Sequence, residues 1–235
     1  MGMFKRLPIG LLLLTILSVV LLIAALGTVF LYAPVEATMG LVQKVFYFHV
    51  AHAWAGMLSF IVAAITGAVY LKMRDLRWDV ASLASVELGM VLMLIAIVSG
   101  SIWAHAAWNT WWTWDPRLTT VTIMELLYAA YLMLRQGIAE PERRARFGAI
   151  YVIVAVLTVP LTFFSIRFYR TIHPVIIGDS DPSAAGAFDM TPRMLHTFFF
   201  SLITFSVIFA TLFWYRLRLG LLAKRVSEKR MELED

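Results

Sequence analysis

Apolar residues run through this chain in long blocks separated by short polar stretches. The blocks are too long and too continuous for the helices or strands of a water-soluble core. A helix that crosses a hydrocarbon layer of about 30 Å needs about 20 mostly apolar residues, and a window of that size picks out residues 9–32, 45–71, 80–103, 119–134, 147–168 and 194–215. The pattern predicts six transmembrane helices. The fourth block is the shortest and contains Glu125, so its ends are the least sharply marked. The first block follows Lys5 and Arg6 in the manner of a signal peptide. Its apolar run is much longer than the roughly 7–15 residues of a cleavable segment, and it reads as an uncleaved anchor. Gly67, Gly89, Gly100 and Pro160 fall inside the blocks. Neighbouring helices in lipid tolerate such residues, so they are read as structural rather than functional.

Composition removes the soluble alternatives. Of the 235 residues, 61 % are hydrophobic and only 15 % are charged, whereas soluble domains run at about 45–50 % and about 25 %. The chain has no cysteine, which excludes disulfides, thiolate metal sites, iron–sulfur clusters and thiol nucleophiles and leaves His, Met or carboxylate to hold any metal. Charge then sets direction. Of 20 Lys and Arg residues, fifteen fall on one face of a six-span layout and five on the other, namely Lys44, Arg117, Arg167, Arg170 and Arg193. The positive-inside rule makes the richer face cytoplasmic. The expected fold is an all-α integral membrane protein, a single six-helix domain over residues 1–235 with both termini cytoplasmic and an outward Trp-rich loop at about 104–118. No Walker-type phosphate loop is present, so the chain is not read as an ATPase, and no internal repeat points to a repeat-built transporter. Outer residues 177–187, rich in Gly, Asp, Ser and Ala, are expected to be mobile until a partner docks.

The chemistry lies on the outward face. Five of eight Trp fall between Trp103 and Trp114, and Trp108, Trp111, Trp112 and Trp114 lie within seven residues of one another. An interfacial aromatic belt is the plain account of such residues, but a belt spreads around a bundle. This density in one loop makes a flat apolar platform suited to a large planar ligand. Asp115, followed by Pro116 and an apolar run, is the expected N-cap of helix four. Arg117 is either an interfacial anchor that snorkels or an anion partner facing the ligand. Imidazole is a ligand for iron and other transition metals, so the five histidines are sorted by depth. His49, near the outer end of helix two, and His173, just beyond helix five, stand at the same outward level and come from separate segments, as two axial ligands of one metal would. His52 sits one turn deeper than His49; His105 and His196 are substitutes of lower rank.

Residues 108–118, Trp-Asn-Thr-Trp-Trp-Thr-Trp-Asp-Pro-Arg-Leu, resemble the WWD signature of heme-handling proteins of cytochrome c biogenesis. With Phe48-His49-Val50 before it and Thr171-Ile172-His173 after it, the six-span layout is similar to the cytochrome c maturation protein C family, also called heme exporter protein C. The resemblance spans nearly the whole chain. It implies heme b as the ligand, with His49 and His173 as the iron ligands and Trp108, Trp111, Trp112, Trp114 and Asp115 as the platform. Lys44 and Arg117 then stand where the family meets the heme propionates, with Arg167 or Arg170 as further cations. The chain departs from the pattern at Asn109, where the signature has Gly, and at Ala51, where the histidine motif has Pro.

The function this implies is that of a non-enzymatic, heme-binding subunit in the bacterial inner membrane. It would hold heme at the periplasmic face and deliver it to a periplasmic heme chaperone during c-type cytochrome maturation. The resemblance also implies an ABC transporter pair and a small single-helix subunit as partners, within the lipid bilayer and with no nucleic acid. Two rival readings are a transporter that moves heme or another solute through the bundle, supported by the intramembrane Glu87 and Glu125, and a b-type electron-transfer protein that keeps its heme.

Overall fold

The computed structural model describes residues 7–37, 39–168, 173 and 190–234; Arg170 and the expected mobile segment 177–187 lie outside them. Among the described residues six helical spans are long and apolar enough to cross a membrane, at the six places the hydropathy pattern marks. Helix α1 (Ile9–Gly27) continues into one π-helical turn, Thr28–Tyr32. Pro34 explains where it stops. It has no N–H to offer the Phe30 carbonyl four residues earlier, and it forces the preceding residue out of helical backbone; Ala33 has ψ 129°.

Helices α2 (Gln43–Met73) and α3 (Leu76–Trp108) form a long antiparallel hairpin at the centre of the fold. Its turn passes through Arg74 in the left-handed region, φ 59°, and Asp75, whose side chain accepts from the Arg77 N–H and caps α3. Helix α4 (Pro116–Gln136) begins as its sequence predicts, with Asp115 as N-cap and Pro116 at the first helical position. The loop is shorter than the expected 104–118. Helix α3 runs on to Trp108 and closes at Asn109, φ 55°, whose N–H donates to the His105 carbonyl. Asn in this position adopts the backbone that the signature's Gly would supply, and only 109–115 are left as loop.

The fifth span is two helices, α5 (Pro141–Ala155) and α6 (Thr158–Phe168). Pro160 donates no hydrogen bond to the Val156 carbonyl and its ring crowds that group, so the helix breaks there. The break has a consequence for packing: α5 lies on α2, whereas α6 turns away from α2 and lies on α4. Helix α7 (Pro192–Glu234) packs on α1, α2 and α3. At 43 residues it is about 65 Å long, so it extends far past the predicted 194–215, and its charged last turns are exposed. The central core is built around Phe60, Met93, Met124, Tyr128 and Val152, with the Phe60 and Tyr128 rings stacked 3.7 Å apart.

Candidate functional site

On α2, Phe46, Val50, Ala53 and Met57 recur at helical spacing around His49 and give that residue a shared apolar face. The His49 ring points at α3, where Nδ1 donates to the Ala96 carbonyl at 2.8 Å. One turn further along α3 stands Gly100. A Cβ there would lie 2.5 Å from His49 Cε1 and 2.9 Å from Nδ1. Gly100 is therefore not merely a tolerated glycine, as the sequence suggested: its missing side chain is the space the imidazole occupies. Ala51, which replaces the expected Pro, is buried in the α2 packing, and the ring's pose comes from α3.

His173 is held differently. Its Nδ1 donates to Asp115 Oδ2 at 2.8 Å, while Oδ1 of the same carboxylate accepts from the Leu118 N–H at 2.9 Å. Asp115 thus does two jobs, capping α4 and tying His173 to the start of that helix. The Trp108 ring meets His173 edge-on at 5.8 Å and Trp103 at 4.8 Å, and Trp103 in turn lies 5.9 Å from Phe46. A line of aromatic rings joins the two histidine neighbourhoods.

Both histidines line the same two adjoining cavities. The larger, about 170 Å³, is walled by Phe46, Val50, Trp54, Phe163, Ile166, Phe198 and Leu202 among others, with Arg167 at its edge. The smaller, about 60 Å³, lies under the loop and is lined by Trp108, Trp111 and Trp112. Arg117 and Trp103 line both. Arg117 makes no hydrogen bond or ion pair with any described residue. Nε1 of Trp103 and of Trp112 and Oγ1 of Thr113 and of Thr162 are buried without partners. This is an apolar, aromatic space with two imidazoles, one guanidinium and several unused donors, suited to a flat ligand that carries a metal and an anionic group.

The structure does not bring every predicted residue here. Lys44 lines neither cavity. Its Nζ donates to the Phe30 carbonyl at 3.0 Å, the group Pro34 leaves unpaired, and lies over the Phe30 ring. Trp114 is 73 % exposed and touches Trp112 edge-on, outside both cavities. The remaining histidines have other work. His52 donates to the Phe48 carbonyl, His105 stacks on Trp111 at 4.0 Å, and His196 hydrogen-bonds Tyr32. Glu87 pairs with Arg216 at 2.6 Å. Glu125 lines neither cavity, and its Oε2 is buried without a hydrogen-bond partner. Residues that the sequence reading missed are Gly100, Trp103, Phe46, Trp54, Phe163 and Leu202. Phe46 was within reach through its helical register with His49 and Trp103 through its place in the Trp cluster, whereas Gly100, Phe163 and Leu202 carried no local signal.

A profile of the heme exporter protein C family matches residues 3–232. The heme exporter protein C of Bradyrhizobium diazoefficiens is 30 % identical over 200 residues, covering 85 % of this chain and 74 % of that protein. Its namesake in Rhodobacter capsulatus is 29 % identical over 213 residues, 89 % of this chain and 86 % of the relative. That of Escherichia coli K12 is 31 % identical over 209 residues, 87 % and 81 % respectively.

Proposed function

Because this chain belongs to the heme exporter protein C family, we propose that it holds heme b between His49 and His173 at its Trp-rich end and passes it to a periplasmic heme chaperone for c-type cytochrome biogenesis. One observation supports this most. Two imidazoles from segments more than a hundred residues apart line the same cavities beside the Arg117 guanidinium. Each ring is held through Nδ1 by a protein oxygen, the arrangement that fixes tautomer and orientation in histidines that bind metal through Nε2. Among the described residues no three of His, Asp and Glu gather around one point, and two imidazoles are what a macrocycle iron leaves for a protein to supply. Bound heme would provide the iron for those rings and propionates for Arg117, with a guanidinium–carboxylate pair strong in a partly desolvated site. Trp103, Trp108, Trp111 and Trp112 would cover the ring.

At about 170 Å³ the larger cavity is below the roughly 300–1,000 Å³ of ligand-binding clefts and cavities. A macrocycle would extend beyond that volume, and a ligand that must be handed on would benefit from an edge left uncovered. The chain works by binding and orienting heme, with the reactive chemistry left to its partners. Fifteen of the 20 Lys and Arg residues fall on the other face of the six-span layout, which supports a periplasmic Trp-rich end and cytoplasmic termini in the inner membrane of a bacterium. An ABC transporter pair and a single-helix subunit complete the assembly. The transporter alternative loses half its support, since Glu87 is already paired with Arg216.

The test is the absorption spectrum of the purified protein with heme and of His49→Ala and His173→Ala. Loss of the six-coordinate spectrum in each variant is expected, and its retention in both overturns the reading. Transfer to added apo-chaperone then separates delivery from retention.

A further inference from the structure

The larger cavity is open, and the position of its opening matters. Its walls are α2 through Val50, Trp54 and Met57, α6 through Phe163 and Ile166, and α7 through Phe198 and Leu202. Trp54 and Phe163 are each 42 % exposed, whereas Phe46 and Phe198 at the back are buried. The opening thus lies between α6 and α7, with α2 as its floor. These two helices hardly pack on one another: α7 leans on α1, α2 and α3, and α6 follows α4 after the break at Pro160.

The depth of the opening decides what it faces. Helix α2, 31 residues long, measures about 46 Å and so overhangs a hydrocarbon core of about 30 Å by about 8 Å at each end if centred. Trp54 stands eleven residues into that helix, about 16 Å from its end, hence about 8 Å inside the hydrocarbon. Leu202 is ten residues into α7, about 15 Å from its start. The exposed lip of the cavity therefore meets lipid tails, not water, and its residues are apolar to match. The inner wall is different, carrying His49, His173 and Arg117.

We propose that the gap between α6 and α7 is a lateral entrance by which the porphyrin reaches His49 and His173 from the outer half of the bilayer. This rests on the heme reading of the site and adds the phase from which the ligand arrives. A flat apolar macrocycle with two carboxylates partitions into a leaflet with its faces among the tails and its acids toward the surface. From there it slides edge-first past Trp54, Phe163 and Leu202, with the Arg167 guanidinium at the edge of the cavity and the imidazoles and Arg117 beyond. The shared lining makes the passage continuous with the site and commits it to the same occupant.

The rate of loading tests this. The full chain is reconstituted in phosphatidylcholine vesicles that already contain hemin, and appearance of the histidine-ligated spectrum is followed in time. Leu202→Trp narrows only the larger cavity and is expected to slow loading by roughly tenfold or more, a barrier increase of about 1.4 kcal/mol, and to slow release of bound heme to an acceptor by a similar factor, whereas damage to the site itself would speed release. Trp54→Ala widens the lip and is expected to speed loading. Unchanged rates in both variants overturn the entrance. Loading that stops once the other membrane subunits are added identifies the gap as a partner helix's seat and overturns it as well. A wild-type chain with no histidine-dependent spectrum fails at the underlying heme reading instead, so the two failures are distinguishable.

Discussion

The two ends of the bundle treat charge in opposite ways. At the basic end Arg135 and Asp79, both buried, form a bidentate pair at 2.6 and 2.8 Å, the guanidinium lies 5.5 Å over the Tyr131 ring, and Glu87 closes on Arg216. At the Trp-rich end Arg117 lines two cavities with no described hydrogen-bond or ion-pair partner, and the indole N–H groups of Trp103 and Trp112 are buried and unused. A buried polar group without a partner costs about 1–3 kcal/mol, more if charged. At the basic end the charged side chains pair with one another, whereas at the Trp-rich end the Asp115 carboxylate serves to hold His173 and the Arg117 guanidinium lines the cavities.

Four substitutions break or sharpen this contrast. The largest effect is expected at the end with no ligand role: Arg135→Leu strands Asp79 in the core and should cost about 3–5 kcal/mol of stability. Thermal unfolding in detergent reads the loss, and the heme spectrum of the folded fraction should not move. Next comes Gly100→Ala, whose Cβ meets the His49 ring and should cost about 1–3 kcal/mol by overpacking while converting bound heme from six- to five-coordinate. Because the clash is with His49, Gly100→Ala should add nothing in a His49→Ala background; an undiminished second effect would show that Gly100 acts elsewhere. Asp115→Asn keeps the α4 cap, since Asn caps as well as Asp, but removes the carboxylate from His173. Heme titration should find affinity roughly 10–100-fold weaker with helix content by circular dichroism intact. Smallest is Lys44→Met, which frees the Phe30 carbonyl and should lower stability by about 1 kcal/mol with heme affinity unchanged. A large loss of affinity there would return Lys44 to the site.

How much was legible follows from the range of each signal. Asp115 as N-cap, Asn109 in the left-handed region and Pro34 at the end of the first helix depend on neighbours a few residues away, and the chain states them directly. Lys44 shows the opposite case. Its motif position suggested a ligand contact, but the carbonyl that Pro34 leaves unpaired lies closer, fourteen residues back in the chain. Pro160 read as a proline that neighbouring helices tolerate, yet its break sends α6 from α2 to α4.

By itself, then, the sequence determined the six spans, their caps and the residue types available at one end, because hydropathy and helical period are properties of consecutive residues. Only tertiary structure decided that His49 would use the notch at Gly100, that His173 would reach Asp115 58 residues away, and that Arg117 would line the same cavities as both histidines. Those outcomes depend on which helix faces lie against one another, and that is settled by packing volumes summed over the whole bundle.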